Sequence, residues 1–185
     1  MSRREQIRMS DAEAGAFLAE ERTATCATIG PRGWPHLMPL WYVLRDVPAG
    51  ASISASSSEM DDDASPEGEP APRIWAWTYA ASQKVRNLER DPRATLQVET
   101  GELYQELRGV MLECDAVIHG ELETVKALGH EIFARHARPR GEPPATELPS
   151  EVGAMVDKQA AKRVALEFVE RRRASWDHRK LGGVY

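Results

Sequence analysis

The feature that most constrains this 185-residue chain is a series of short β-type runs separated by turn signals. TATCATI at 23–29 is rich in β-branched residues and too short for a stable helix. In Gly30-Pro31-Arg32-Gly33 the Pro and Gly positions suit a tight reversal, and WPHLMPLWYVLR then resumes extended structure. The two runs predict a β-hairpin. Pro35 and Pro39 lack backbone donors, which sends the second strand to a sheet edge or a bulge. RIWAWTYA from Arg73, ATLQVET from Ala94 and LRGVMLECDAVIHG from Leu107 read as further strands. Val164, Leu166 and Phe168 alternate within 163–169, which suits a strand, although the tail of a helix fits the same pattern.

Helical signals are scattered between these runs. Ser10-Asp-Ala-Glu13 has the form of a capping box ahead of Ala14, Phe17 and Leu18. SQKVRNLERD at 82–91 spaces Val85 and Leu88 to face inward and stops at Pro92. Helices are also expected over 123–137 and near 150–160. Six or so strands with no βαβ rhythm and no glycine-rich nucleotide loop imply a mainly β, α+β fold built on a small closed barrel.

The length suits one domain, 1–185, able to bury a core without disulfides or a structural metal. Residues 47–72 are dense in Ser, Pro, Ala, Gly and acids and show no periodicity, so they are expected to form a mobile surface loop. Within it, 59–69 holds six acidic side chains and no basic one. Without those six charges the net −5 becomes +1, so the body is nearly neutral and suggests neither a nucleic-acid face nor a basic membrane anchor. No apolar run approaches the roughly 20 residues needed to span a bilayer, and MSRREQIRMSDAE is no secretory leader. Cys26 and Cys114 each sit in an apolar, strand-like segment and are expected to be buried free thiols. A cytoplasmic location is the expectation.

The segment most suggestive of chemistry is TYAASQKVRNLERDPR at 78–93. An aromatic strand leads into Ser82-Gln83-Lys84 at a helix start, where free N–H groups and the positive end of the helix dipole suit an anion. Ser82 adds a hydroxyl and Lys84 a point charge, and 82–93 carries a local charge of +2. An ordinary surface helix with Ser82 as its cap has the same spacing. Trp34, Trp41, Trp75, Trp77 and Trp176 are many beside three Phe and four Tyr. They fill core or form a slot for a planar ring, and the spacing does not separate the two. His130 and His136, six apart, fall on different helix faces, the two Cys lack CxxC spacing, and hydrolase and kinase motifs are missing, so no metal site is expected. Asp177 and His178 are adjacent in a polar tail, a placement that suits capping better than acid–base work.

Four segments together carry a resemblance: 27–43 (ATIGPRGWPHLMPLWYV), 74–99, 104–118 (YQELRGVMLECDAVI) and 175–183 (SWDHRKLGG). In this order they resemble the flavin and deazaflavin oxidoreductases of the split β-barrel class, relatives of pyridoxamine 5'-phosphate oxidase. The resemblance implies a six-stranded, FMN-binding-like split β-barrel with peripheral helices. It also implies a homodimer with a cofactor in each of two grooves at the subunit interface. By the same resemblance Ser82, Gln83 and Lys84 match the phosphate-binding segment, and Thr78 and Tyr79 the strand end before it. Pro39, Leu40 and Trp41 match the strand whose backbone lies along the ring system. Trp176 and His178 fall in a tail segment that closes the groove, from the partner subunit in one arrangement. The SQK triplet and the tail look more like the branch using coenzyme F420 than the branch using FMN. Both cofactors carry a phosphate at the same distance from a tricyclic ring, so Lys84 does not distinguish them. The implied reaction is hydride transfer to a small-molecule electron acceptor, with no obvious side-chain acid. A non-catalytic flavin-binding protein is the other class of function. The long acidic insertion at 47–72 departs from shorter relatives.

Overall fold

A computed structural model describes residues 2–46 and 72–182. The expected loop at 47–72 therefore lies, apart from Pro72, outside the described residues. Among the described residues six strands are present: β1 (Thr23–Ile29), β2 (Pro35–Arg45), β3 (Arg73–Tyr79), β4 (Arg93–Thr100), β5 (Arg108–His119) and β6 (Arg163–Asp177). They close in the order β1-β2-β3-β6-β5-β4, with every neighbouring pair antiparallel and β4 returning to β1. The run at 163–169, open between strand and helix in the sequence, is the start of a fifteen-residue strand. A register shift at Glu113/Cys114 marks a bulge in the long β5–β6 ribbon, the usual way for a strand to bend around a barrel.

Among the described residues five α-helices decorate the barrel: α1 (Arg3–Ile7), α2 (Asp11–Glu20), α3 (Gln83–Arg90), α4 (Leu122–His136) and α5 (Ser150–Ala160). The capping box at Ser10 and Glu13 forms as expected, and Ala14, Phe17 and Leu18 are the buried face of α2. A second capping box, Ser2 with Glu5, starts the short α1 that the sequence reading passed over. Inside the barrel, side chains two apart on each strand meet. Cys26, Tyr42, Leu96, Val98, Val110, Leu166 and Phe168 fill it. Both cysteines are buried and free.

A second core forms where α4 and α5 cover the outer face of β3, burying Val43, Trp77, Val125, Leu128, Ile132, Val156 and Ala165. Gly129 permits this contact, since a Cβ there would stand 2.7 Å from Trp77 Cζ3. Trp75 stacks on His119 at 4.8 Å. Both tryptophans of β3 are therefore packing residues, and the core-filling reading holds for them. The buried Arg135 of α4 locks the second layer to α2: it donates to the carbonyls of Tyr42 (3.2 Å), Leu18 (3.1 Å) and Ala19 (2.8 Å) and also to that of Glu21.

One seam of the barrel is open. β2 pairs with β1 over its whole first half, from Pro35 to Trp41, but with β3 only at Tyr42–Arg45. The far end of β3, Trp77–Tyr79, pairs with β6 alone. Residues 37–41 and 77–79 thus form two free edges beside a split. Pro39 lies in this edge stretch, where its missing N–H forfeits no bond to β3.

Candidate functional site

Helix α3 covers the split end of the barrel. Ser82 is its N-cap, with Oγ accepting from Val85 N at 3.4 Å. Lys84, Val85, Asn87 and Leu88 are its buried residues, the three- and four-residue spacing that turns one helix face inward. Asn87 fixes the helix to β1 by donating from Nδ2 to Thr28 Oγ1 at 3.0 Å, and Gln83 Nε2 donates to Asn87 Oδ1 at 2.8 Å. Arg90 adds a bond to the Ile29 carbonyl.

The decisive side chain is Lys84. It is only 5% exposed, and its Nζ has Thr78 Oγ1 at 3.5 Å as its hydrogen-bond partner. Burial pushes its pKa down, with the Cys26 sulfur near enough to oppose the shift slightly. Cys26 is itself pushed up to about 11 by burial, so it stays a neutral thiol and gives no counter-charge. Among the described residues no carboxylate pairs with Lys84. His36 on β2, opposite Thr28 in register, has a buried Nδ1 with no partner. A buried cation bonded to Thr78 thus lies at this end of the barrel with, among the described residues, no carboxylate to balance it.

The other expected residues divide into two groups. Thr78 and Tyr79 end β3 beside this cluster, and Tyr79 is 48% exposed. Pro39, Leu40 and Trp41 lie on the opposite free edge: Leu40 points into the core, while Trp41 is 47% exposed and stacks on His136 at 4.0 Å. Trp176 and His178 lie elsewhere in the subunit. Thr100 pairs with Arg108, and Arg108 with Asp177, at the end of β4 away from α3. Seven residues of strand separate that end from Arg93, about 23 Å. There the Trp176 ring covers Gly109, and the ring nitrogens of His178 include Nδ1 at 2.9 Å from the Tyr104 carbonyl. Asp177 caps the final turn by accepting from Arg179 N at 3.0 Å, and the Arg179 guanidinium holds its carboxyl below the usual range.

Sequence reasoning missed Asn87, Thr28 and His36. Asn87 was findable, since it is three residues after Lys84 on the inward face. Thr28 and His36 become neighbours only through the β1–β2 register. A cavity of about 910 Å³ lies elsewhere, between the end of α2, α4 and residues 141–148, and none of the expected site residues lines it. Among the described residues no group of His, Cys, Asp or Glu could hold a metal ion, and no helix is long and apolar enough to cross a membrane.

A six-stranded antiparallel barrel, split beside a helix cap that buries an unbalanced cation, defines a class of small split-barrel proteins. The pyridoxamine 5'-phosphate oxidase family model matches residues 10–169, and the chain belongs to that family. A conserved hypothetical protein from Mycobacterium tuberculosis is 36% identical, with all of this chain and 95% of that one covered and a TM-score of 0.71. A protein named F420 reductase is 16% identical over 87% of this chain and 95% of its own, with a TM-score of 0.54. A FAD-binding protein from Mesorhizobium loti is 15% identical over 90% and 94%, also with a TM-score of 0.54. The latter two share the fold. No curated protein matches the sequence.

Proposed function

We propose that the protein is an oxidoreductase that binds a phosphate-bearing flavin-type cofactor, coenzyme F420 in the first instance, in a groove completed by a second copy of the chain. The observation that carries this reading is Lys84, a buried cation with no carboxylate paired to it among the described residues, at the start of a helix where Ser82 caps Val85 N–H and the two N–H groups before it lack intrahelical partners. A phosphate there would be met by the Ser82 hydroxyl, the Lys84 ammonium and the positive end of α3. When bound, the ring system would supply the hydride for an electrophilic double bond of a small-molecule acceptor. The chain's own part is to hold the phosphate, to lay the Pro39–Trp41 edge along the ring and to exclude water.

Trp34 is 74% exposed, and Leu37, Met38 and Trp41 on the free edge are exposed with it. An apolar cluster of this kind suits burial against a second subunit. In such a homodimer the partner's tail, with its copies of Trp176 and His178, is the segment available to close the groove. The family membership supports the reading, as do the fold relatives named for F420 reduction and for FAD binding.

The test is a titration with coenzyme F420 and with FMN, followed by tryptophan fluorescence and paired with light scattering. Micromolar binding of coenzyme F420, weaker binding of FMN and a dimeric mass are expected. Tighter FMN binding would move the protein to the FMN branch. Oxidation of the bound reduced cofactor that no electrophile accelerates would make it a carrier. Binding of neither cofactor would overturn the proposal.

A further inference from the structure

The C-terminal end of α4 grips β2 at the point where the split begins. Arg135 donates to the carbonyl of Tyr42, the residue at which pairing with β3 starts. His136 follows it as the last residue of the helix and stacks on Trp41, the neighbouring residue on the free edge. The two ring centres are 4.0 Å apart and the planes lie within 14° of parallel. Phe133, one turn earlier, stands 6.1 Å from the Trp41 ring at 75° and 6.0 Å from the Trp77 ring at 86°. No strand pairs with Trp41 on the β3 side, so these ring contacts fix its indole there.

The imidazole is itself held. Its Nδ1 lies 2.8 Å from the Ile132 carbonyl four residues back, as an N–H donating into the last turn of the helix. That bond keeps the proton on Nδ1 and sets the plane of the ring. Burial pushes the His136 pKa down against the pull of the Ile132 and Arg22 backbones, and the charges of Arg22 and Arg135 act with burial. Arg22, just before β1, and Arg135 on α4 are the charged groups that face it, while β2 meets it with the Trp41 ring. Among the described residues no carboxylate pairs with it. Arg22 is not free to withdraw, since its guanidinium donates to the carbonyls of Arg138 and Pro139.

We infer that His136 is a positioning residue of the candidate site: stacked and neutral, it holds the Trp41 indole in the orientation that a bound ring system meets at the free edge of β2. This rests on the proposed cofactor reading and joins the second core to that site. Arg135 fixes the β2 backbone at the split, and His136 fixes the side chain beside it. An indole ordered before binding spares the ligand the entropy of ordering it. Charging the imidazole sets a buried cation against Arg22 and Arg135, so acid loosens the stack and the indole with it.

The experiment measures dissociation constants of coenzyme F420 and FMN by equilibrium dialysis, with a melting curve for each protein. The proteins are the wild type, His136→Ala, His136→Phe, Trp41→Ala, Trp41→Ala combined with His136→Ala, and Lys84→Met. His136→Ala is expected to weaken both ligands roughly three- to tenfold, the range of a lost ring stack. His136→Phe keeps a ring on the indole and should bind within about twofold of the wild type at pH 7. In the combined variant the second change should add nothing to Trp41→Ala, because His136 acts through that residue. Between pH 7 and pH 5.5 the wild type should lose about threefold more affinity than His136→Phe, and this comparison decides the matter should His136→Ala not fold. An added loss in the combined variant, no rescue by phenylalanine, or equal pH profiles would overturn the role. If Lys84→Met and Trp41→Ala weaken binding while His136→Ala does not, only this inference fails. If neither Lys84→Met nor Trp41→Ala changes binding, the cofactor reading fails first.

Discussion

Replacing Lys84 by Met should make the protein more stable and a poorer binder at once. The methionine keeps the length of the stem and removes an ammonium that is 5% exposed and has one long hydrogen bond, 3.5 Å to Thr78. Exchanging buried charges for apolar groups of similar volume gains about 1–4 kcal/mol in other proteins. The lost hydrogen bond takes back about 1 kcal/mol at most. A net gain of about 2 kcal/mol would raise Tm by roughly 4–8 °C for a chain of this size. Loss of the charge-assisted phosphate contact should cost about 1.5–3 kcal/mol, a ten- to hundredfold loss of affinity.

The pH dependence has a definite sign. Burial lowers the Lys84 pKa, so in the window between its folded value and about 10.4 the unfolded chain binds the extra proton. Stability of the wild type should therefore rise through that window relative to Lys84→Met, and the gap between them should close towards pH 10. Urea unfolding followed by tryptophan fluorescence at pH 7 and pH 10, with and without cofactor, reads all three effects. A Lys84→Met protein less stable than wild type at pH 7, with the same gap at pH 10, would refute the idea of an unbalanced cation.

Three further outcomes are expected. Gly109→Ala would place a Cβ 2.6 Å from Trp176 Cε2, so the indole must move. A shift in tryptophan emission and a loss of about 1–3 kcal/mol should follow. Arg135→Met strips the carbonyls of Leu18, Ala19 and Tyr42 of their buried donor and should cost about 3–5 kcal/mol in urea unfolding. Burial raises the pKa of both thiols, that of Cys26 to about 11, so neither should react with a disulfide reagent at pH 8 until the protein unfolds. Prompt labelling of the native protein would show that the barrel interior opens.

Much of the local structure could be read from residues that act on their immediate neighbours. The Ser10–Glu13 box, the Gly30–Gly33 reversal, the start of α3 at Ser82 and its end before Pro92 are each decided by capping or by backbone geometry within a few residues. The inward face of α2 and the alternation of Val164, Leu166 and Phe168 follow from periodicity alone. The fate of the tryptophans was not legible in this way. Trp75 and Trp77 share a face with nothing in their spacing to say whether a helix or a ligand covers it, and α4, from some fifty residues further along, covers Trp77.

The sequence by itself determined the strands, the turns and a positively charged helix start suited to an anion, because these depend on residues near one another in the chain. The tertiary structure alone decided that β2 leaves β3 at Tyr42 and opens a split. It also decided that Lys84 turns inward to Thr78, with no carboxylate paired to it among the described residues, and that Arg163 lies over Tyr79 on the other side. It separated Trp176 and His178 from α3 within one subunit, although the resemblance grouped them at one site. These facts depend on the strand order and register of a closed barrel, which bring together residues far apart in the chain and divide neighbours such as Thr78 and Tyr79 between the two faces of a sheet.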